Sequence, residues 1–139
     1  MTKQILIIVD SININDSSGS KANLALIKNL AAVGYVVTVL HFTQKDIQLK
    51  SVECISIKER KYNILYLLSR TQRIIQRYFK INLAKYLEPI FGFSFTFFND
   101  VNSIKAVLKK QDLSKFDLFL TLSKGASFRP HYAVNKLPY

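Results

Sequence analysis

The chain has 139 residues, one cysteine, two histidines and a formal net charge of +11. That length suits one domain. Cys54 alone excludes an intrachain disulfide and a four-cysteine zinc site, and His41 and His131 are too few for a histidine-rich metal centre. No apolar run approaches the roughly 20 residues of a membrane-spanning helix, and the short apolar run after Lys3 stops at Asp10, unlike a signal peptide.

The elements read as follows in chain order. Gln4 to Val9 (QILIIV) is continuously apolar, as a strand buried on both faces requires. A polar loop, Ser11 to Ser20, follows. Lys21 to Val33 has helical spacing, with Ser20 as the expected N-cap and Gly34 as the expected stop. Tyr35 to Phe42 is a second buried strand. Strand, helix and strand at this spacing predict a βαβ unit with parallel strands and the first strand central. Val52 to Ile57 alternates and predicts a third strand, with Cys54 as a buried small hydrophobe.

Asn63 to Leu87 predicts one long helix or two joined ones, ended or kinked at Pro89. At 100° per residue, Ile64, Leu68, Ile74, Ile75, Tyr78, Phe79 and Ile81 share one broad side, expected to pack on the sheet. Arg70, Arg73, Arg77 and Lys80 fall almost opposite. Phe91 to Phe98 (FGFSFTFF) alternates aromatic with small residues and reads as an edge strand or extended loop. Asn99, Asp100 and Ser103 offer caps for a helix through Lys110. Phe116 to Leu122 is a fourth strand, Ser123 to Ser127 a small-residue turn, and Pro130 to Lys136 the start of a helix. A pattern that has just left a strand and entered a helix reads as part of a longer protein.

The charge is uneven. From Lys58 to Lys85 there are eight basic residues and one acid, Glu59. Such a stretch points to an anionic partner. The stripe lacks interleaved exposed aromatics and known nucleic-acid motifs, which argues against nucleic acid. An anionic membrane surface, met by Arg70, Arg73, Arg77 and Lys80 as an electrostatic footing without insertion, is the sharper reading. A solvated helix face is the plain one.

In open α/β sheets, ligands bind beyond the carboxyl ends of the strands, where helix N-termini face anions. Ser17, Ser18, Gly19 and Ser20 stand at that place after the first strand. Lys124, Gly125, Arg129 and His131 stand after the fourth. All eight are candidate substrate-binding residues; an ordinary capped turn and a surface histidine are the plain alternatives. His41 reads as structural. Only Gly19 is present of a G-x-G-x-x-G motif, and no carboxylate ends the second strand, so a dinucleotide cofactor is not indicated. Gly19-Ser20-Lys21 lacks the first glycine of a P-loop. No metal or cofactor is expected.

The opening KQILIIVDSININDSSGSKANLALIKNLAAVGYVVTVLHF, with its small-residue loop, LALIKNL helix and G-[YH]-x-V-T-V strand, resembles the N-terminal domain of bacterial group 1 (family 4) glycosyltransferases of the GT-B fold. DLFLTLSKGASFRPHYAVNKLP fits the fourth strand and its turn. The resemblance implies a Rossmann-like three-layer α/β domain with a mostly parallel sheet of at least four strands. Residues 1–139 would form the acceptor-side domain, incomplete at its C-terminal end, of a two-domain protein.

It further implies transfer of a sugar from a nucleotide-sugar donor, held mainly by a second domain, to a cell-surface polysaccharide or lipid-linked acceptor. The location implied is cytoplasmic, peripheral on the inner membrane face. Ser18, Gly19 and Ser20 would line the cleft near the donor phosphates and the acceptor, and His131 precedes the place of the family's cleft histidine. The catalytic residues stay open. The alternative from another class is a non-catalytic α/β binding module for a phosphorylated ligand or protein partner.

Overall fold

The computed structural model describes residues 2–43, 46–123 and 129–135. Its strands are β1 (Gln4–Val9), β2 (Val36–His41), β3 (Val52–Ser56) and β4 (Leu118–Leu122). All pairings are parallel, in the order β3-β2-β1-β4, so β1 is interior as expected. Gln4 lies beside Val36 and Ile5 beside Leu118. The helices are α1 (Ser18–Ala32), α2 (Ile64–Phe79), α3 (Leu83–Phe91), α4 (Phe95–Leu108) and α5 (Arg129–Val134). A 3-10 turn at Leu113–Lys115 precedes β4.

Alternation along β1 divides the core in two. Ile5, Ile7 and Val9 join Leu24 and Ile27 of α1 and Val37 and Val39 of β2. Leu6 and Ile8 face the other way, with Val101, Ile104 and Leu108 of α4 and Ala133 of α5. The result is a Rossmann-like three-layer arrangement, with α1 on one face and α4 with α5 on the other.

Gly34 ends α1 as expected. Its φ of 101° allows Tyr35 N–H to reach back to the Leu30 carbonyl at 3.2 Å. The N-cap is Ser17 rather than Ser20, because the Ser17 hydroxyl accepts the Ser20 amide at 3.1 Å.

Three expectations need correction. Phe91 to Phe98 is neither strand nor extended loop: α3 closes at Gly92 (φ 79°), and Ser94 caps α4 by accepting the Phe97 amide at 3.3 Å. Its aromatics fit the helical reading because Phe93 stacks on Phe97, with centroids 4.0 Å apart, and both meet Tyr132 of α5. Asn99 and Ser103 are therefore buried inside α4 rather than capping it. Pro89 lies inside α3, and the long helix breaks earlier, at Lys80, whose φ is 54°.

The third correction concerns the face by which α2 docks. It packs chiefly on α4, and polar side chains bond across the contact. The Ser69 and Thr96 hydroxyls are 3.1 Å apart, and the Gln72 carbonyl accepts the Phe95 amide at 3.2 Å. Ser69 and Gln72 are the buried residues of α2 and Leu65 and Ile75 are half-buried, while Ile64, Leu67, Leu68, Ile74, Tyr78 and Phe79 are exposed. The neighbouring surface of α4 carries Thr96 and Asn99, so the matching face of α2 is its polar flank. Cys54 is half-buried on β3, and burial pushes its thiol upward.

His41, at the end of β2, is 1% exposed, and its Nδ1 has no hydrogen-bond partner among the described residues. Burial lowers its pKa below 6.5, against an opposing pull from Asp46. The unfolded chain therefore takes up a proton before the folded chain does. Stability is full above about pH 6.5 and is lost as pH falls from there toward the folded value. Urea unfolding should show a falling midpoint between about pH 7 and about pH 5.5, and His41→Gln should flatten that slope. An unchanged slope would contradict a buried neutral imidazole.

Candidate functional site at the carboxyl edge of the sheet

Parallel strands send their following loops out at one edge. Asp10, Phe42 and Ser123, which follow β1, β2 and β4, therefore stand at the carboxyl edge.

The β1–α1 loop is held by its own polar groups. The Thr43 hydroxyl accepts the Ile12 amide at 3.1 Å, tying the loop to the segment after β2. Ser11 donates to Asp16, and the Asn13 side-chain amide donates to Asp16 at 2.9 Å. Ser17 follows as the α1 cap. Ser20 is buried, with its hydroxyl 3.0 Å from that of Ser17. Ser18 is exposed and Gly19 half-buried in the first turn. Gly19 has no positive φ, so it serves there as a small residue rather than a left-handed one.

The other half of the site is a charge cluster. Asp10, directly after β1, is 2% exposed. Arg129, opening α5, brings Nη2 to 3.0 Å from Asp10 Oδ1 and donates from Nη1 to Asp100 Oδ2 at 2.7 Å. Its guanidinium carbon lies 5.4 Å from the centre of the Phe42 ring, after β2. Asp100 projects from α4, and burial raises its carboxyl above the ordinary value, against the pull of Arg129. Asp10 Oδ2 has no hydrogen-bond partner among the described residues.

Two carboxylates thus neutralise Arg129, so an incoming phosphate must compete for it. The unpartnered Oδ2 is an acceptor suited to a hydroxyl donor. His131 projects from the same helix, and its Nδ1 meets the Thr121 hydroxyl of β4. Lys124 and Gly125 lie outside the described residues. Among the described residues, no group of three histidine, cysteine or acidic side chains is placed to hold a metal.

The structure thus brings Arg129 onto β1 through Asp10, a residue the sequence reading took only as the stop of an apolar run. Asp100 read as a cap. The available signal was a carboxylate directly at the end of a doubly buried strand. Arg70, Arg73, Arg77 and Lys80 all lie on the surface, and Arg73, with Glu59, is near enough to act on the Asp100 carboxyl. Arg73 differs from the others because it donates to Glu59 at 2.6 Å, which also accepts from Asn99 at 3.0 Å.

Comparison with protein-family models, with curated proteins and with solved structures finds no match to the chain.

Removing Arg129 leaves a buried carboxylate uncompensated, which costs about 3 kcal/mol or more. Arg129→Met should lower the urea-unfolding free energy by about that amount. Adding Asp10→Asn to it should restore part of the loss. No loss in Arg129→Met would mean that the cluster does not hold α5 to β1.

Proposed function

We propose that this chain is the acceptor-side domain of a glycosyltransferase that moves a sugar from a nucleotide-sugar donor to a cell-surface polysaccharide or lipid-linked acceptor. The observation that carries the reading is the carboxyl edge of β1. A buried carboxylate with an unfilled acceptor atom stands there at the head of the loop that ends in the serine-capped start of α1. A carboxylate of this kind suits a sugar hydroxyl, and helix amides suit a phosphate. The sequence resemblance supports the same assignment. In this reading Asp10 orients an acceptor hydroxyl, Ser18 and Gly19 face the donor phosphates, and Arg129 holds Asp10 in place. The donor is held mainly by a second domain.

No helix among the described residues is long and apolar enough to cross a membrane. The location proposed is cytoplasmic, peripheral on the inner face of the membrane, where lipid-linked acceptors are met. One observation limits the ligand role to Ser18 and Gly19 within this loop. The Ser17 and Ser20 hydroxyls already satisfy one another and the helix start, so capping alone accounts for them.

Transfer requires two substrates held in line and a leaving diphosphate stabilised. The complete polypeptide containing these residues, incubated with bacterial membranes and radiolabelled UDP-, GDP- and dTDP-sugars, should move label into lipid or polysaccharide. Asp10→Ala should lower that rate by about tenfold or more, as loss of a positioning contact does, with circular dichroism confirming the fold. The 139-residue chain alone should be inactive. Transfer from none of these donors by the complete polypeptide would overturn the enzyme reading and leave the non-catalytic binding module.

A further inference from the structure

An amphipathic helix at a protein surface normally turns its apolar face inward. Helix α2 does not. Its buried residues are Ser69 and Gln72, whereas Ile64 is 74% exposed, Leu67 62%, Tyr78 77% and Phe79 69%. An apolar surface of this kind marks an interaction site.

Its border identifies the occupant. At 100° per residue, Arg70 and Arg77 follow directly on the apolar arc, on the side away from α4. Both are exposed, and Arg70 donates to the Tyr66 hydroxyl at 3.1 Å. An open groove of about 690 Å³ runs along this border, lined by Lys61, Tyr66, Arg70, Ile74, Arg77 and Tyr78, together with Glu59, whose charge Arg73 offsets at 2.6 Å. Cations flanking an apolar arc, with tyrosines at the margin, match the layered chemistry of a bilayer surface: phosphates outside, acyl chains beneath. A buried protein partner would have to cover these guanidinium groups with matched acids, whereas a lipid surface leaves them among headgroups.

We propose that α2 lies in the surface of an anionic membrane, its Ile64, Leu67 and Tyr78 face among the acyl chains and lipid phosphates in the groove beside Arg70 and Arg77. This rests on the peripheral location proposed above and is independent of sugar transfer. It replaces a purely electrostatic footing with partial insertion.

The chain contains no tryptophan, so Phe79→Trp introduces a sole tryptophan reporter, excited selectively at the red edge of its absorption, in the exposed apolar arc. The probes are phosphatidylcholine vesicles with and without phosphatidylglycerol, with bromine on the acyl chains in a parallel set. On anionic vesicles the reporter's emission should shift to the blue and be quenched by the brominated chains. Part of the binding should survive about 0.5 M NaCl, where charge attraction is screened within a few ångströms. Leu67→Gln/Ile74→Gln/Tyr78→Gln should abolish quenching and salt-resistant binding. Arg70→Gln/Arg77→Gln should weaken low-salt binding about thirtyfold, since each cation near the surface contributes about 1 kcal/mol.

All five side chains are exposed, so the variants should keep the fold, which circular dichroism checks. Binding without quenching, fully lost in salt, would overturn insertion while sparing the peripheral location. No binding to any vesicle would overturn both. A stable dimer by light scattering that dissociates in the apolar triple variant, without vesicle binding, would assign the face to a second copy and overturn the proposal.

Discussion

The burial of β1 on both faces is the constraint from which the rest follows. Ile5, Leu6, Ile7, Ile8 and Val9 are all removed from water. Each face then requires a cover: α1 on one side, α4 and α5 on the other. A strand covered this way offers its chemistry only at its end. Asp10 is the first polar side chain after that run and is still buried. A carboxylate in that position needs a cation, and Arg129 supplies it from α5 while also reaching Asp100 on α4. One ion-paired cluster therefore links the central strand to both helices on one face, at the edge where α/β sheets bind ligands.

The same constraint explains α2. Helices α4 and α5 already supply the core packed on Leu6 and Ile8, so α2 joins as an outer layer on α4. Polar side chains bond across that contact, with Leu65 half-buried on the same flank. Glu59, the one acid of the basic stretch, accepts from both Arg73 and Asn99, while Ser69 meets Thr96. Arg60 N–H donates to the Ser103 hydroxyl at 3.0 Å, fixing the approach to α2. Docking by this flank leaves most of the apolar face, and the basic one, in solvent. The fold therefore carries an ion-paired cluster at the carboxyl edge of its sheet and, separately, an apolar face bordered by arginines on α2.

The parallel sheet was legible because QILIIV and YVVTVLHF are apolar without interruption and are joined by a helical segment closed at Gly34. The edge loops were legible by position, since the topology places Ser17–Ser20 and Arg129 at the carboxyl ends of adjacent strands. The Asp10–Arg129–Asp100 cluster was not, because it joins residues 29 and more than a hundred positions apart, and nothing local marks the pairing. Phe91 to Phe98 misled because alternating aromatics also suit a strand; the Ser94 cap and the Phe93–Phe97 stack decided it. The helical wheel of α2 separated its faces correctly but carried no information about which face meets the protein. Ser69 and Gln72, small or amide side chains aligned on one flank, were the only trace of the true docking side.

The orientation of α2 is the claim on which the membrane account stands, and thiol accessibility tests it most directly. In a Cys54→Ser background, single cysteines placed by Leu67→Cys and Ser69→Cys would be reacted with a thiol reagent in native buffer and again in urea. The account predicts that the Leu67→Cys protein reacts natively almost as fast as when unfolded, and that the Ser69→Cys protein is strongly protected until it unfolds. Protection at position 67 with rapid reaction at position 69 would mean that α2 turns its apolar face inward, and would contradict the account.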